Sequence, residues 1–462
     1  MPLSEQSQYI RMTQTPIPKL ITSMAVPTII SMLITGLYNL ADTYFVACMK
    51  SDSATAAVGV VFSLMALIQA TGFTLGMGSG SLISRLLGQK DREKAQQVAV
   101  SGFAAALAFG VILAAAGLLW IDPLMSLLGA TDTVAPYARS YASYILYGAP
   151  VMAGAFVLNN VLRAEGHATL SMVGITTGGI LNILLDPLFI FYFELGIAGA
   201  ALATLVSQCV SLFILLSCFL SKKSLLHLVP TSISKSPDLY LEIIRTGLPS
   251  FFRQGLASVA TVALNRAAML YGDPAVAAMS VGSKVFMLIA SALIGFGQGY
   301  QPVLGFNYGA GRLDRVRESF FFTLRTGLAM MTALASLGFA FAPAIIGLFG
   351  SGEMHTIGVV AMRAQCVGLV FQVLGVVTNM TFQTIGRSAQ ATFLSACRQG
   401  VYFLPLILTL PHWWGLPGVE YTQALSDVLT CLTCIPFLVS FFRVLRDREA
   451  QLASLPETDG PT

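Results

Sequence analysis

The sequence predicts an all-α integral membrane protein of about twelve transmembrane helices arranged as two homologous six-helix lobes. Three observations carry that prediction. Of the 462 residues, 55% are hydrophobic and only 10% are charged, with a mean hydropathy of +0.75, far from the roughly one quarter of charged residues in soluble domains. Apolar stretches of about 20 residues or more, enough to cross a bilayer as helices, recur along almost the whole chain. The two halves also repeat one another at a nearly constant offset.

The predicted spans of the first half run over 20–46, 54–87, 95–120, 134–162, 168–192 and 196–220. Those of the second run over 239–270, 274–308, 315–341, 355–384, 389–410 and 418–444. The polar start "MPLSEQSQYIRMTQTPIPK" leads straight into the first span, with no cleavage site of a signal peptide expected. Basic residues crowd Arg85–Lys94, Lys222–Lys235, Arg312–Arg317 and Arg443–Arg448, while the alternate connections carry little beyond Lys50, Arg139 and Arg363. By the positive-inside rule both termini and the even-numbered loops face the cytoplasm. Each basic cluster lies beside a span, so nucleic-acid binding is not expected.

The repeat is legible in short blocks. "GMGSGSLISRLLGQKDREK" (76–94) and "GQGYQPVLGFNYGAGRLDR" (297–315) place Gly88 and Gly309 at the same point, 309 − 88 = 221. "AAVGV" (56–60) meets "AAMSV" (277–281), "LLG" (127–129) meets "LFG" (348–350), and "EGHA" is answered by "IGRS" 220 residues later. Six spans per repeat leave both lobes in one orientation, related by an axis along the membrane normal. The expected division is a lobe at 1–220, a cytoplasmic linker at 221–238, a lobe at 239–444 and a cytoplasmic tail at 445–462. Two rigid lobes around a central cleft suit alternating access. Glycines four apart, Gly72, Gly76 and Gly80, Gly174 and Gly178, Gly295 and Gly299, allow close helix packing.

Ionisable groups at membrane depth are costly and therefore functional candidates. Asp42 in span one, Asn182 and Asp186 one turn apart in span five, and Thr204 in span six fall at a common depth near the outer side. At the 221 and 220 offsets the second half has Ala263 and Leu406 in place of Asp42 and Asp186, so the lobes share a fold but not this chemistry. Two neighbouring carboxylates in a low-dielectric pocket cannot both stay ionised cheaply, so one holds a proton or a cation joins them. The expectation is an ion-coupling site of a secondary transporter, completed by Asn39 or Tyr38 as a proton network or as an oxygen cage for sodium. The other reading is that Asp186 pairs locally before Pro187 and Asp42 borders the outer surface.

Weaker candidates are Glu165 beside Arg163 at the end of span four, either an interfacial pair or a cation-binding group. Arg253, Arg266, Lys284 and Asp427 are expected to pair with one another or to line the cleft. Pro27 is expected to bend span one. Methionines and aromatics such as Met65, Met77, Met287, Met380, Tyr38, Phe156 and Phe286 offer an adaptable apolar surface for the cleft or simple packing. Cys431 and Cys434 form a CxxC without nearby histidine and read as core residues. No GxxxxGK[ST], HExxH or GxSxG occurs, and the four histidines at 167, 227, 355 and 412 are scattered, so neither an ATP-driven pump nor an enzyme is expected.

"NLADTYFV" (39–46), "GMGSGSLISRLLGQKDREKA" (76–95), "LLGATDTVAPYARSY" (127–141), "LRAEGHATLSMV" (162–173), "NILLDPLFIF" (182–191) and "GFGQGYQPVLGFNYGAGR" (295–312) together resemble the multidrug and toxic compound extrusion (MATE) family over nearly the whole chain. The resemblance implies a V-shaped pair of lobes in the bacterial inner membrane. It implies export of drugs and organic cations by antiport with H+ or Na+, without a further cofactor. Its ion-coupling positions match Asp42, Asn182, Asp186 and Thr204, which would ligate a metal ion only if sodium is the coupling ion. Glu165 matches an acidic position associated with cationic substrates, and Tyr38, Asn39, Met287 and Lys284 complete the expected cleft. Spans seven and ten have Arg253, Arg266 and Gln372 where sodium-coupled members have carboxylates, which favours protons. The expected partners are small-molecule drugs and membrane lipids, and the working unit a monomer. The alternatives are a flippase for lipid-linked or amphipathic cargo, an exporter of one endogenous metabolite, and a channel or receptor.

Overall fold

The computed structural model describes residues 5–49, 51–221 and 223–454, and among them every regular element is a helix. Spans one to six are Ile17–Ala47, Asp52–Gly88, Arg92–Leu119, Ala135–Ala164, Ala168–Pro187 with a π-helical continuation Leu188–Tyr192, and Gly196–Leu220. Spans seven to ten are Pro237–Met269, Asp273–Gly309, Leu313–Gly347 and Glu353–Thr384. Span eleven has three parts, Ser388–Ala396, a π-helical stretch Cys397–Phe403 and Leu404–Trp414, and span twelve is Leu416–Ser454. Eleven of these, among the described residues, are long and apolar enough to cross a membrane. The remaining one, Pro237–Met269, carries Asp238, Glu242, Arg245, Arg253 and Arg266. Short helices Glu5–Gln14 and Ile121–Leu127 precede spans one and four. Residues 455–462 of the expected tail lie outside the described residues.

Local chemistry sets the helix ends. Ser51 caps span two by accepting the Ala54 N–H at 3.3 Å, and Asp91 caps span three by accepting the Lys94 N–H at 3.1 Å. Gly166 and Gly386, the repeat-related glycines, have φ of 88° and 87°, a left-handed turn that ends spans four and ten and would strain any other residue. Pro187 and Pro405 each lack a backbone N–H, and the π-helical turn beside each widens the ladder where that bond is missing. Span one continues through Pro27 as one helix, with the Ser31 hydroxyl donating to the Pro27 carbonyl at 3.0 Å.

The lobes meet through spans one and eight, two and seven, and two and eight. Glycine decides how closely. A Cβ at Gly88 would overlap the Phe306 carbonyl, and one at Gly309 would overlap the Arg85 carbonyl. Because 306 − 85 equals 309 − 88, the sequence repeat reappears as a reciprocal contact about the pseudo-two-fold axis. Gly78 and Gly247 bring spans two and seven equally close, and Gly295 and Gly299 seat span eight on Ala25 and Ile29. All these contacts lie in the half of the molecule that carries the termini. In the other half Ser63 and Leu67, on the span-two face that bears Thr74, are exposed, and nothing lies within 4 Å of a Cβ at Gly59 or Gly255. The apolar cores divide in the same way: one cluster joins both lobes, whereas two others, around Tyr141 and around Phe403, each belong to one lobe. The molecule is a V closed at the end of the termini.

Polar contacts seal that end. The Thr28 hydroxyl donates to the Gly295 carbonyl at 2.6 Å, Arg85 pairs with Glu242 at 3.9 Å, and Arg315 donates to the Thr15 carbonyl at 2.6 Å. Asn307 donates to the Met12 carbonyl at 3.1 Å, fastening the N-terminal helix to the second lobe. Glu165 is fully buried and clamps the connection between the lobes. Its carboxylate accepts the Ser224 hydroxyl at 2.7 and 2.9 Å and the N–H groups of Leu225 and Leu226 at 3.0 and 3.3 Å.

Gly247→Ala should destabilise the protein by about 1–3 kcal/mol through overpacking, whereas Gly255→Ala, with open space around it, should be neutral or stabilising. Thermal unfolding of the two variants checks the assignment, and equal melting temperatures would refute it. Glu165→Gln should weaken the clamp and speed tryptic cleavage after the exposed Lys223 and Lys235 about tenfold; an unchanged cleavage rate would mean that the carboxylate does not hold the connection.

Candidate functional site

Span one ends five residues after Asp42, span five turns π-helical just after Asp186, and span four begins six residues before Tyr141. The crossing of these helices gathers the polar residues inside the first lobe, beneath the apolar cluster of Val46, Met65, Ile145 and Ile190. Asp186 is fully buried, and Asn182, Thr204 and Asp42 are 2, 5 and 9% exposed. The Asn182 amide donates to the Thr204 hydroxyl at 3.3 Å and to Asp186 at 3.5 Å, and Thr204 donates to the Ala200 carbonyl at 3.2 Å. Tyr141 donates to Asp42 at 3.2 Å.

Tyr141 is the member that sequence reasoning missed. It ends the quoted block "LLGATDTVAPYARSY", and its depth, two turns into span four, was the available signal. Its hydroxyl lies in the field of both carboxylates. Three oxygens of the cluster, Asp42 Oδ1, Asn182 Oδ1 and Asp186 Oδ2, are buried without a hydrogen-bond partner among the described residues. All three are acceptors, so a proton, a water or a cation could answer them.

The remaining candidates are dispersed. Tyr38 is buried against Gly179 in the first lobe, and Asn39 donates to the Thr35 carbonyl at 2.8 Å within its own helix. Met287 is 56% exposed and Lys284 is exposed on span eight, where the lobes part. Glu165 faces the connection between the lobes and His167, at 3.4 Å, rather than Arg163. In the second lobe, Asp427 pairs not with Arg253, Arg266 or Lys284 but with Arg398, at 2.6 Å. Arg398 lies at the start of the π-helical stretch Cys397–Phe403 of span eleven, beside span twelve. As a lone charge in an apolar span it was visible in the sequence. Gln423 donates to the same Asp427 oxygen at 3.3 Å.

Comparison with known proteins agrees with this architecture. The MatE family matches residues 27–188 and 249–408, one segment in each lobe. The multidrug export protein MepA of Staphylococcus saprophyticus is 25% identical over 92% of this chain and 93% of its own length. MepA of Staphylococcus aureus is 24% identical over 96% of this chain and 97% of its own length. A structure described as the outward-facing conformation of a multidrug resistance MATE family transporter of the MOP superfamily superposes with a TM-score of 0.90, at 28% identity, over 95% of this chain and 98% of that one. A MOP superfamily transporter from Pyrococcus furiosus, for which reversed polarity of the binding pocket is said to suggest a different function, superposes with a TM-score of 0.89 at 28% identity, over 95% and 98% of the two chains. Matched in both lobes and along nearly its whole length, the chain belongs to the MatE family of multidrug and toxic compound extrusion transporters.

Proposed function

We propose that this protein is a secondary active exporter of organic cations and amphipathic drugs, driven by antiport with protons. The observation that carries this reading is the buried cluster of Asp42, Tyr141, Asn182, Asp186 and Thr204, with three acceptor oxygens that no donor among the described residues satisfies. A proton held by the carboxyls relieves their mutual repulsion and needs no fixed coordination geometry. Sodium would draw on the same oxygens, and the polar groups in the middle of spans seven and ten, Arg253, Arg266 and Gln372, which include no carboxylate, favour the proton. No other cofactor enters. The setting is the bacterial inner membrane with both termini cytoplasmic, so the V opens outward. Each chain, with both lobes fused, works as a monomer among membrane lipids.

Asp42 lies on span one, whose other half, Ala25 to Ile29, packs against span eight. Over 13 residues the helix rises about 20 Å, so a change of charge at Asp42 acts on a rigid rod that ends at the lobe interface. Exchanging a proton there biases the two lobe arrangements, and the drug is released from the open side. The exposed Met287 and Lys284 of span eight border the cargo's route. A second reading is transport of an anionic or lipid-linked amphiphile. It is favoured by Arg253, whose Nη1 is buried without a partner, beside Arg398 in the second lobe.

The test is uptake of a fluorescent organic cation into inside-out vesicles under separately imposed proton and sodium gradients. Uphill accumulation with the proton gradient, abolished in Asp42→Asn and Asp186→Asn, is expected; full flux in both variants would overturn the reading. Tyr141→Phe removes one hydrogen bond to Asp42, worth about 1 kcal/mol, and should reduce proton-driven uptake about fivefold without abolishing it. Uptake equal to the unsubstituted protein would leave Tyr141 a packing residue.

A further inference from the structure

At the closed end, Arg163 of span four is 4% exposed and reaches across the lobe interface. It donates to Gln298 of span eight and to Asn160 of its own helix, and it touches the Met77 sulfur at 3.8 Å. Among the described residues no carboxylate pairs with it or acts on its charge, and Glu165, two residues on, is turned to the connection between the lobes. A buried guanidinium without a counter-charge is costly.

Two buried amide donors beside it are left unsatisfied. Arginine only donates, so the Gln298 and Asn160 atoms it meets are the amide oxygens, which fixes the orientation of both amides. The Asn160 nitrogen then donates to the Phe156 carbonyl at 2.7 Å. The nitrogen of Gln298, a residue 2% exposed, has no partner among the described residues, and neither has the Gln301 nitrogen one turn on. These groups line a cavity of about 20 Å³ with Ser81, Ser84, Met77 and Pro302. That is room for one water or one halide. A water there leaves the guanidinium uncompensated, whereas a halide accepts from the unsatisfied amide nitrogens and compensates the charge.

We propose that this cavity is a site for a small monovalent inorganic anion, chloride being the type, held between Arg163 and the Gln298 amide. Its residues come from both lobes, Ser84, Asn160 and Arg163 from the first and Gln298 and Gln301 from the second. The anion is therefore bound only while the end with the termini is closed, and it stabilises that arrangement.

The test is thermal unfolding of the full-length purified protein at constant sodium concentration, with gluconate replaced stepwise by chloride or bromide. The melting temperature should rise saturably by a few degrees in either halide. Gln298→Glu places a carboxylate beside Arg163 and should raise the melting temperature in gluconate while abolishing the halide response. Gln298→Met removes the amide donor and should raise the half-maximal bromide concentration about tenfold. Crystals soaked in bromide should give an anomalous peak between Arg163 and Gln298. A melting temperature equal in gluconate and halide, or an unaltered halide response in both variants, would overturn the proposal.

Discussion

The architecture depends on backbone-to-backbone approach between the lobes at one end of the molecule. Where Gly78, Gly88, Gly247, Gly295, Gly299 and Gly309 meet the facing helices, no side chain separates the two backbones. In a bilayer, where lipid tails are as apolar as leucine, such packing rather than apolar burial holds helices together. The contact is narrow and confined to one half, so the other half of each lobe keeps its own apolar core and the gap between them stays open. Two lobes joined along one seam form the layout from which alternating access is built, the seam closing and opening in turn, which is the motion the proposed transport would use.

The seam also explains the placement of the polar residues. The carboxyl cluster is set away from it, buried inside one lobe beneath an apolar core, where a change of charge would be energetically large. Span one connects the two regions, with Asp42 near one end and the Ala25 to Ile29 contact surface near the other. At the seam itself, Arg85, Thr28, Asn307 and Arg315 bind carbonyls of the opposite lobe or of the N-terminal helix, and Glu165 holds the connection between the lobes. These bonds are directional, so the closed arrangement is specified rather than merely favoured. The second lobe repeats the helices but carries the buried ion pair of Arg398 with Asp427 in place of a carboxylate pair, so like folds hold different polar chemistry.

The twelve helices, their order and the two-lobe repeat were legible in the amino-acid sequence because hydropathy and span length are one-dimensional properties. So was the membership of Asp42, Asn182, Asp186 and Thr204 in one depth layer, since helix rise converts residue number into depth. Rotation about each helix axis is not encoded so simply. That rotation brings Tyr141 to Asp42, swings Glu165 onto the Ser224–Leu226 backbone instead of toward Arg163, and pairs Asp427 with Arg398 at a π-helical turn. Depth and lobe membership are therefore properties of the chain alone, whereas the partner of each buried polar group, and the end at which the lobes close, follow from how the packed helices face one another.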